Sequence, residues 1–436
     1  MPTRRDTEAA RLGQLEVVAR LEAADRAAFD SLDGHAQVVD RHRGHSASVA
    51  PRGAVPTLPV VFDFVDRRRR LADRMHEAGV DLLFLPPSSD LEYLTGVERG
   101  IPTFGQSQYA HGWVAGAFFR PGREPVFVLP RMMTVFDLAG ELPGELVVVG
   151  ERDDGQALFE AASLGMGEVR TLAVGDRTWA ETVIHLTEAV SPERLVTGSP
   201  LVNELRRTKS PEELAAMERA CGVVDATMAG VGPKVRPGVT TLDLVEEVEH
   251  RMRVLGSRVP SFTTHVFTSF VGGKNSAEES RSVPIEEGDV VMFDFGAVVD
   301  GYCSDFGRTV CVGDPGSDVR DAYALVLAAQ EAGRAALRPG VPASEVNRAC
   351  RRPIEEGGFG PNFKHRMGHG IGLDVHERPF VSEEEETPLE AGMTFTDEPS
   401  ILVDDRFGVR IEDVVVCEPH GGRKLNGFSP ELIVNV

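Results

Sequence analysis

Apolar residues follow two different rhythms along the chain, and the places where the rhythm changes divide it into three parts. Leu12, Leu15, Val18 and Leu21 recur every third position within residues 6–30, a spacing that predicts an amphipathic helix. Residues 34–58 mix His, Arg, Ser, Gly and Pro without periodicity and read as a flexible lead-in. Residues 1–58 are therefore expected to form a helical extension and linker, or an arm packed on a partner subunit.

From Val65 the pattern tightens. VDRRRRLADRMHEAGV has helical spacing and stops at Gly79, and DLLFLPP follows as a buried-strand run. Further apolar runs at 114–119, 125–129, 146–149 and 171–174 alternate with helical stretches, predicting a smaller α/β domain over 59–205. A helix of about 3.6 residues per turn spreads Arg67, Arg68, Arg69 and Arg70 around its surface, so this run is expected to face solvent. In RRTKSPEELAAMERAC, Ser210 is a good N-cap, Pro211 suits the first helical position and Glu213 completes a capping box. Beyond it, helices are predicted at 211–230, 240–255, 318–337 and 343–357. Strands are predicted at 289–298, 302–312, 393–398 and 409–417. Helices with largely antiparallel strands make residues 206–436 an α+β domain.

Composition narrows the class. At 436 residues the chain is expected to hold two globular domains, and 42% apolar residues are enough to bury both cores. Asp and Glu (68) outnumber Lys and Arg (46), for a net charge of −22, which argues against nucleic acid or an anionic membrane as partner. Without a run of eighteen apolar residues, no spanning helix is expected. The first residues lack an apolar signal core, and none of the five cysteines has CxxC spacing, so the expected compartment is the reducing cytoplasm.

Three blocks carry candidate chemistry. In GDVVMFDFGAVVDGYCSDFGRTV, two alternating runs flank Asp300-Gly301, a strong hairpin signal. Asp294 and Asp305 lie eleven apart across that turn, and the odd spacing puts both on one face, opposite or one diagonal step away. Two carboxylates so close repel unless a positive charge sits between them. HRMGHGIGLDVHERP holds His365, His369 and His376 beside glycines, and FTDEPSILVDDRFGVRIEDVVV places Glu398 at one strand end and Glu412 inside another strand. A buried glutamate is costly unless paired or bound to a cation. Carboxylates with one imidazole favour Mn²⁺, Co²⁺, Fe²⁺ or Zn²⁺, and four carboxylates suit a two-metal centre.

DFGAVVDGYCSDFGRTV, GHGIGLDVHERP, FTDEPSI and GVRIEDVVV, in that order, resemble the creatinase/aminopeptidase P ("pita-bread") superfamily, nearest to its Xaa-Pro dipeptidases (prolidases). The resemblance covers roughly residues 65–436 and includes TKSPEELAAM at the domain junction. It implies a C-terminal pita-bread catalytic domain preceded by a creatinase-like N-terminal domain, two divalent ions with Mn²⁺ foremost, a dipeptide or other small-molecule substrate, and a homodimer. Position by position it implies that Asp294 chelates one metal, Asp305 bridges, His369 is the lone imidazole ligand and Glu412 bridges. Glu398 is then a ligand that also shuttles the proton, His376 a substrate contact that steadies the tetrahedral intermediate, and Arg410 a support behind the ligands. His365 corresponds to a position that contacts substrate in some members.

One departure matters. The resemblance calls for a histidine seven residues after the glycine of a G-x-N segment, as a substrate contact; in GGKNSAEESRS that position is Ser280. His265, upstream in FTTHVF, is a candidate to compensate, although spacing does not place it there. The expected function is a dinuclear-metal hydrolase resembling Xaa-Pro dipeptidase. The alternative is a C–N hydrolase or lyase of the same superfamily acting on a small polar metabolite. Retention of all five ligand positions argues against a non-catalytic binding protein. Among the remaining features, the EEEE run at 383–386 reads as a solvated loop and Cys303 as strand packing. Tyr109 and Trp113 are expected to line the site or a dimer contact.

Overall fold

The computed structural model describes residues 61–99, 109–138, 140–268 and 284–435. The expected helix over 6–30, the linker to residue 58 and Ser280 lie outside the described residues. Among the described residues, no helix is long and apolar enough to cross a membrane.

The smaller part is built on a six-stranded sheet of β1 (Leu82–Leu85), β2 (Gly116–Phe119), β3 (Val126–Pro130), β4 (Glu145–Val149), β5 (Thr171–Val174) and β6 (Arg194–Thr197), in the order β4-β3-β2-β1-β5-β6. Strand β2 runs antiparallel to both neighbours and the other pairs are parallel. All four residues of β1 are buried because helices cover both faces. Strand β6, RLVT, escapes the apolar-run criterion because it is a largely exposed edge.

Helix Phe64–Ala78 begins where the Asp63 carboxylate accepts the Asp66 N–H at 2.8 Å. It stops at Gly79, whose φ of 64° a glycine adopts without strain. The arginine run on it needs a correction. Arg67 lies four and eight residues before Leu71 and Met75 and shares their buried stripe. Its guanidinium donates to the Tyr93 carbonyl at 2.9 Å and the Tyr302 hydroxyl at 3.1 Å, and pairs with Glu213 at 3.0 Å. Arg69 meets the solvent expectation.

The larger part opens with helix Pro211–Val231, which carries the expected Ser210–Glu213 capping box. One sheet, β19-β11-β8-β7, contains β7 (His265–Phe267), β8 (Val290–Phe295), β11 (Phe306–Val312) and β19 (Ile433–Asn435). A second, β13-β12-β14-β17-β18, contains β12 (Gly368–Gly370), β13 (Glu377–Val381), β14 (Thr394–Asp397), β17 (Asp413–Glu418) and β18 (Gly421–Lys424). Val291, Phe293 and Phe295 of β8 pack with helices Pro211–Val231 and Thr241–Val254, which leaves Asp294 on the opposite face. Helices Gly316–Ala336 and Ala343–Glu356 pack in a separate core with β17 and the hairpin of β15 (Ser400–Val403) and β16 (Phe407–Arg410). The expected strand 409–417 is interrupted: the chain leaves β16 after Arg410 and joins the other sheet at Asp413. Glu412 therefore sits in the break rather than inside a strand, bridged to Gly307 of β11.

Candidate metal centre

The Asp300-Gly301 turn has positive φ at both residues, 49° and 82°, as a two-residue hairpin of matching twist requires. Its first pair is Val299 of β9 (Val298–Val299) with Tyr302 of β10 (Tyr302–Cys303), and the same register continues to Phe295–Phe306 and Asp294–Gly307. Asp305 thus lies one diagonal step from Asp294. The row runs on from Gly307 to Glu412, so Asp294 and Glu412 flank a residue without a side chain. An added Cβ at Gly307 would stand 2.9 Å from Glu412 Oε2 and 3.0 Å from Arg410 Cδ. Gly307→Ala is accordingly expected to displace Glu412 and weaken metal retention by roughly 10–100-fold, read by elemental analysis after dialysis. Wild-type retention would show that the row tolerates a methyl group.

His369 comes from the middle of β12. Its Nδ1–H donates to the Gly370 carbonyl at 3.0 Å, which leaves the Nε2 lone pair facing the acids. Nε2 lies 3.5 Å from Asp305 Oδ2 and 3.4 Å from Glu398 Oε1. Glu398 follows β14 directly and accepts the Thr396 hydroxyl at 3.0 Å, and that hydroxyl in turn accepts the His369 N–H at 3.0 Å.

Ligand atoms of Asp305, His369 and Glu412 converge within 4.8 Å of one another. Asp294 is engaged differently, paired with the Arg410 guanidinium, which also donates to the Ser400 hydroxyl at 2.8 Å and stands 3.8 Å from Glu412. Burial raises the proton affinity of all these acids, and neighbouring charges set them apart. Burial, opposed by the His369 hydrogen bond and reinforced by Asp294, pushes Asp305 up to about 6. Burial and the charges of Asp305, Glu398 and Asp294 push Glu412 well above the carboxylate range. Burial acts the same way on Glu398, but His369 and Arg410 hold it below its ordinary value. Asp305 Oδ1 and Glu412 Oε2 are buried without a hydrogen-bond partner. Unpartnered, mutually repelling acceptors around one imidazole fit a divalent cation.

His365 lies close enough to Arg410 and Glu398 to feel both charges. Burial, then Arg410, lowers it to about 4, and its Nδ1–H donates to the Arg366 carbonyl at 2.7 Å. The His376 ring stands 4.1 Å from that of His369, at an exposed edge, with partial burial and then His369 lowering it to about 4. Trp113 packs, partly buried, on the small domain's own core against Phe159 and His185. Tyr109 hydrogen-bonds Asp137 of the same domain. Cys303 is buried, donates to the Leu373 carbonyl at 3.3 Å and has its thiol pushed up by burial to about 12, as strand packing implies.

Two features escaped sequence reasoning. Arg206 donates to Asp90 at 2.6 Å, to Asp374 at 2.8 Å and to Glu377, while Lys209 holds the other Glu377 oxygen at 3.0 Å. Asp90, Arg206, Asp374 and Glu377 wall a cleft of about 240 Å³ that His376, Arg378 and Phe380 also line. His265, on β7, stands directly opposite Asp294.

Residues 215–419 match Metallopeptidase family M24, and residues 67–208 match the Creatinase/Prolidase N-terminal domain. The chain is 33% identical over 380 residues to the probable dipeptidase PepE of Mycobacterium tuberculosis, covering 86% of this chain and 98% of that protein. It is 29% identical over 370 residues to the Xaa-Pro dipeptidase of Pyrococcus furiosus, covering 84% and 99%. Among solved structures, the Xaa-Pro dipeptidase from Bacillus anthracis superposes with a TM-score of 0.74 at 28% identity, covering 85% of this chain and all of that one. With both domains matched in order, and a relative of this identity covered almost end to end, the chain belongs to metallopeptidase family M24, as a prolidase-like, metal-dependent hydrolase of the creatinase/aminopeptidase P superfamily.

Proposed function

We propose that this hydrolase cleaves Xaa-Pro dipeptides at a dinuclear centre held by Asp294, Asp305, His369, Glu398 and Glu412, with Mn²⁺ as the foremost metal and Co²⁺, Fe²⁺ or Zn²⁺ as substitutes. The observation that carries the reading is the convergence of Asp305, His369 and Glu412 with two buried, unpartnered carboxylate oxygens. The Xaa-Pro dipeptidase relatives support the substrate class. When bound, two such ions polarise a carbonyl and lower the pKa of a water at neutral pH. Glu398, held ionised by His369 and Arg410, takes up the proton and hands it to the departing amine. His376, a neutral imidazole at the open edge, donates to the substrate oxygen as negative charge develops there. Arg410 anchors Asp294 from behind. The same reading makes the enzyme a cytoplasmic homodimer.

Ser280 supports a second reading, a non-peptide C–N substrate, because a hydroxyl replaces the larger imidazole that a peptide substrate would meet. Metal analysis followed by assays of Xaa-Pro dipeptides against small zwitterionic amides separates the two. Hydrolysis confined to the amides would overturn the dipeptidase reading. On the productive substrate, His376→Ala is expected to lower kcat by about 10²–10³-fold with metal content unchanged; an unaltered kcat would remove His376 from the mechanism.

A further inference from the structure

The row of side chains that runs through the metal centre extends one strand beyond the acids. Its members are His265 on β7, Asp294 on β8, Gly307 on β11 and Glu412. Cross-strand neighbours project to the same face of a sheet. The alternation along β7 agrees: Val266 is buried with Val291 and Phe293 in the helix-covered core, so His265 and Phe267 face the other way, toward the acids. His265 and Phe267 are both partly exposed. Their rings stack at 5.5 Å and 13°, and Phe262 lies 6.3 Å from the imidazole on the same chain segment. An imidazole braced between aromatic rings has few orientations left to lose on binding.

The electrostatics of this flank differ from those of the rest of the centre. Asp305, Glu398 and Glu412 are acceptors engaged in holding cations and offer a substrate carboxylate no hydrogen-bond donor. On the Asp294 side the negative charge is already matched by Arg410, whose guanidinium is occupied by Asp294 and Ser400. His265 stands outboard of that neutralised acid, where an anionic group can approach and needs a donor.

We infer that His265 is a substrate-contacting residue whose imidazole donates a hydrogen bond to the C-terminal carboxylate of the dipeptide at the Asp294 edge of the centre. The inference rests on the dipeptidase reading above. His265→Phe keeps the ring stack and removes the donor, while His265→Gln restores a donor without the stack.

Both variants and wild type are purified with their metals, assayed on Ala-Pro, and titrated calorimetrically with L-proline, the carboxylate-bearing product. His265→Phe is expected to raise KM for Ala-Pro and weaken L-proline binding by about 10–100-fold, the loss of a hydrogen bond to a charged group. Its metal content and melting temperature should match wild type, and His265→Gln should recover part of the binding. An active wild type whose His265→Phe variant keeps its KM and its affinity for L-proline overturns this inference alone. Loss of metal or of thermal stability in His265→Phe also overturns it, since the residue would then serve the centre or the fold. A wild type inactive on Xaa-Pro dipeptides overturns the dipeptidase reading, and this inference with it.

Discussion

Asp305→Ala is expected to abolish two-metal binding and to lower kcat/KM by more than the roughly 10–100-fold that loss of an outer partner costs. Asp305 has no substitute in its position. It lies one diagonal step from Asp294, with Oδ2 3.5 Å from His369 Nε2 and Oδ1 buried without a hydrogen-bond partner. Removing it takes away one of the three groups that converge within 4.8 Å. It also relieves repulsion, since the Asp305 charge raises the proton affinity of Glu412. The variant should therefore fold at least as well as metal-free wild type while failing to hold a second ion. Elemental analysis and differential scanning calorimetry on the same preparations read both effects. Two ions per chain in the variant would refute the assignment of Asp305 as a ligand.

Arg206→Met should be the most destabilising substitution outside the centre, at about 3–5 kcal/mol, the range for removing one partner from a buried ion pair. The loss leaves Asp90 and Glu377, both buried, and Asp374 without their shared cation. Asp374 adds a pH signature. Although burial opposes it, Arg206 and then the Ser89 hydrogen bond hold the Asp374 carboxyl down at about 2. A carboxyl depressed in the folded state contributes stability above its unfolded value of about 4. That contribution is lost as pH falls from there toward 2. Wild type should accordingly lose stability across this interval more steeply than Arg206→Met. Parallel urea midpoints between pH 4 and pH 2 would show that Asp374 owes little to the arginine.

What could be read in advance depended on whether the signal was local. Gly79, the Ser210–Glu213 box and Asp300-Gly301 each encode their own geometry within four residues, and all three form as expected. The Asp294–Asp305 relation followed because a tight turn fixes the register of both strands. Registers set by tertiary packing could not be read this way. Strand β7 is three residues long, too short for a periodicity, and nothing near His265 in sequence shows that it faces Asp294 across twenty-nine positions. At Arg67 the run of like charges hides the buried stripe that it shares with Leu71 and Met75. Apolar alternation predicts a continuous strand through Glu412 because it does not register that the chain changes sheets there. Arg206 and Asp374 lie 168 residues apart, and no local pattern pairs them.

Two arginines of the matched N-terminal domain (residues 67–208), Arg67 and Arg206, end on acids of the larger one: Glu213 for the first, Asp374 and Glu377 for the second. Neither charge can be left behind in an apolar interior, so separating the domains exposes or orphans at least five ionised groups at once. Melting of the six-stranded sheet and of the catalytic sheets should thus be a single event in calorimetry, even though each has its own apolar core. With His376 in its proposed role, variation in the small domain is expected to act on turnover without touching substrate. A change that shifts helix Ser199–Arg206 moves Glu377, and with it the neighbouring His376.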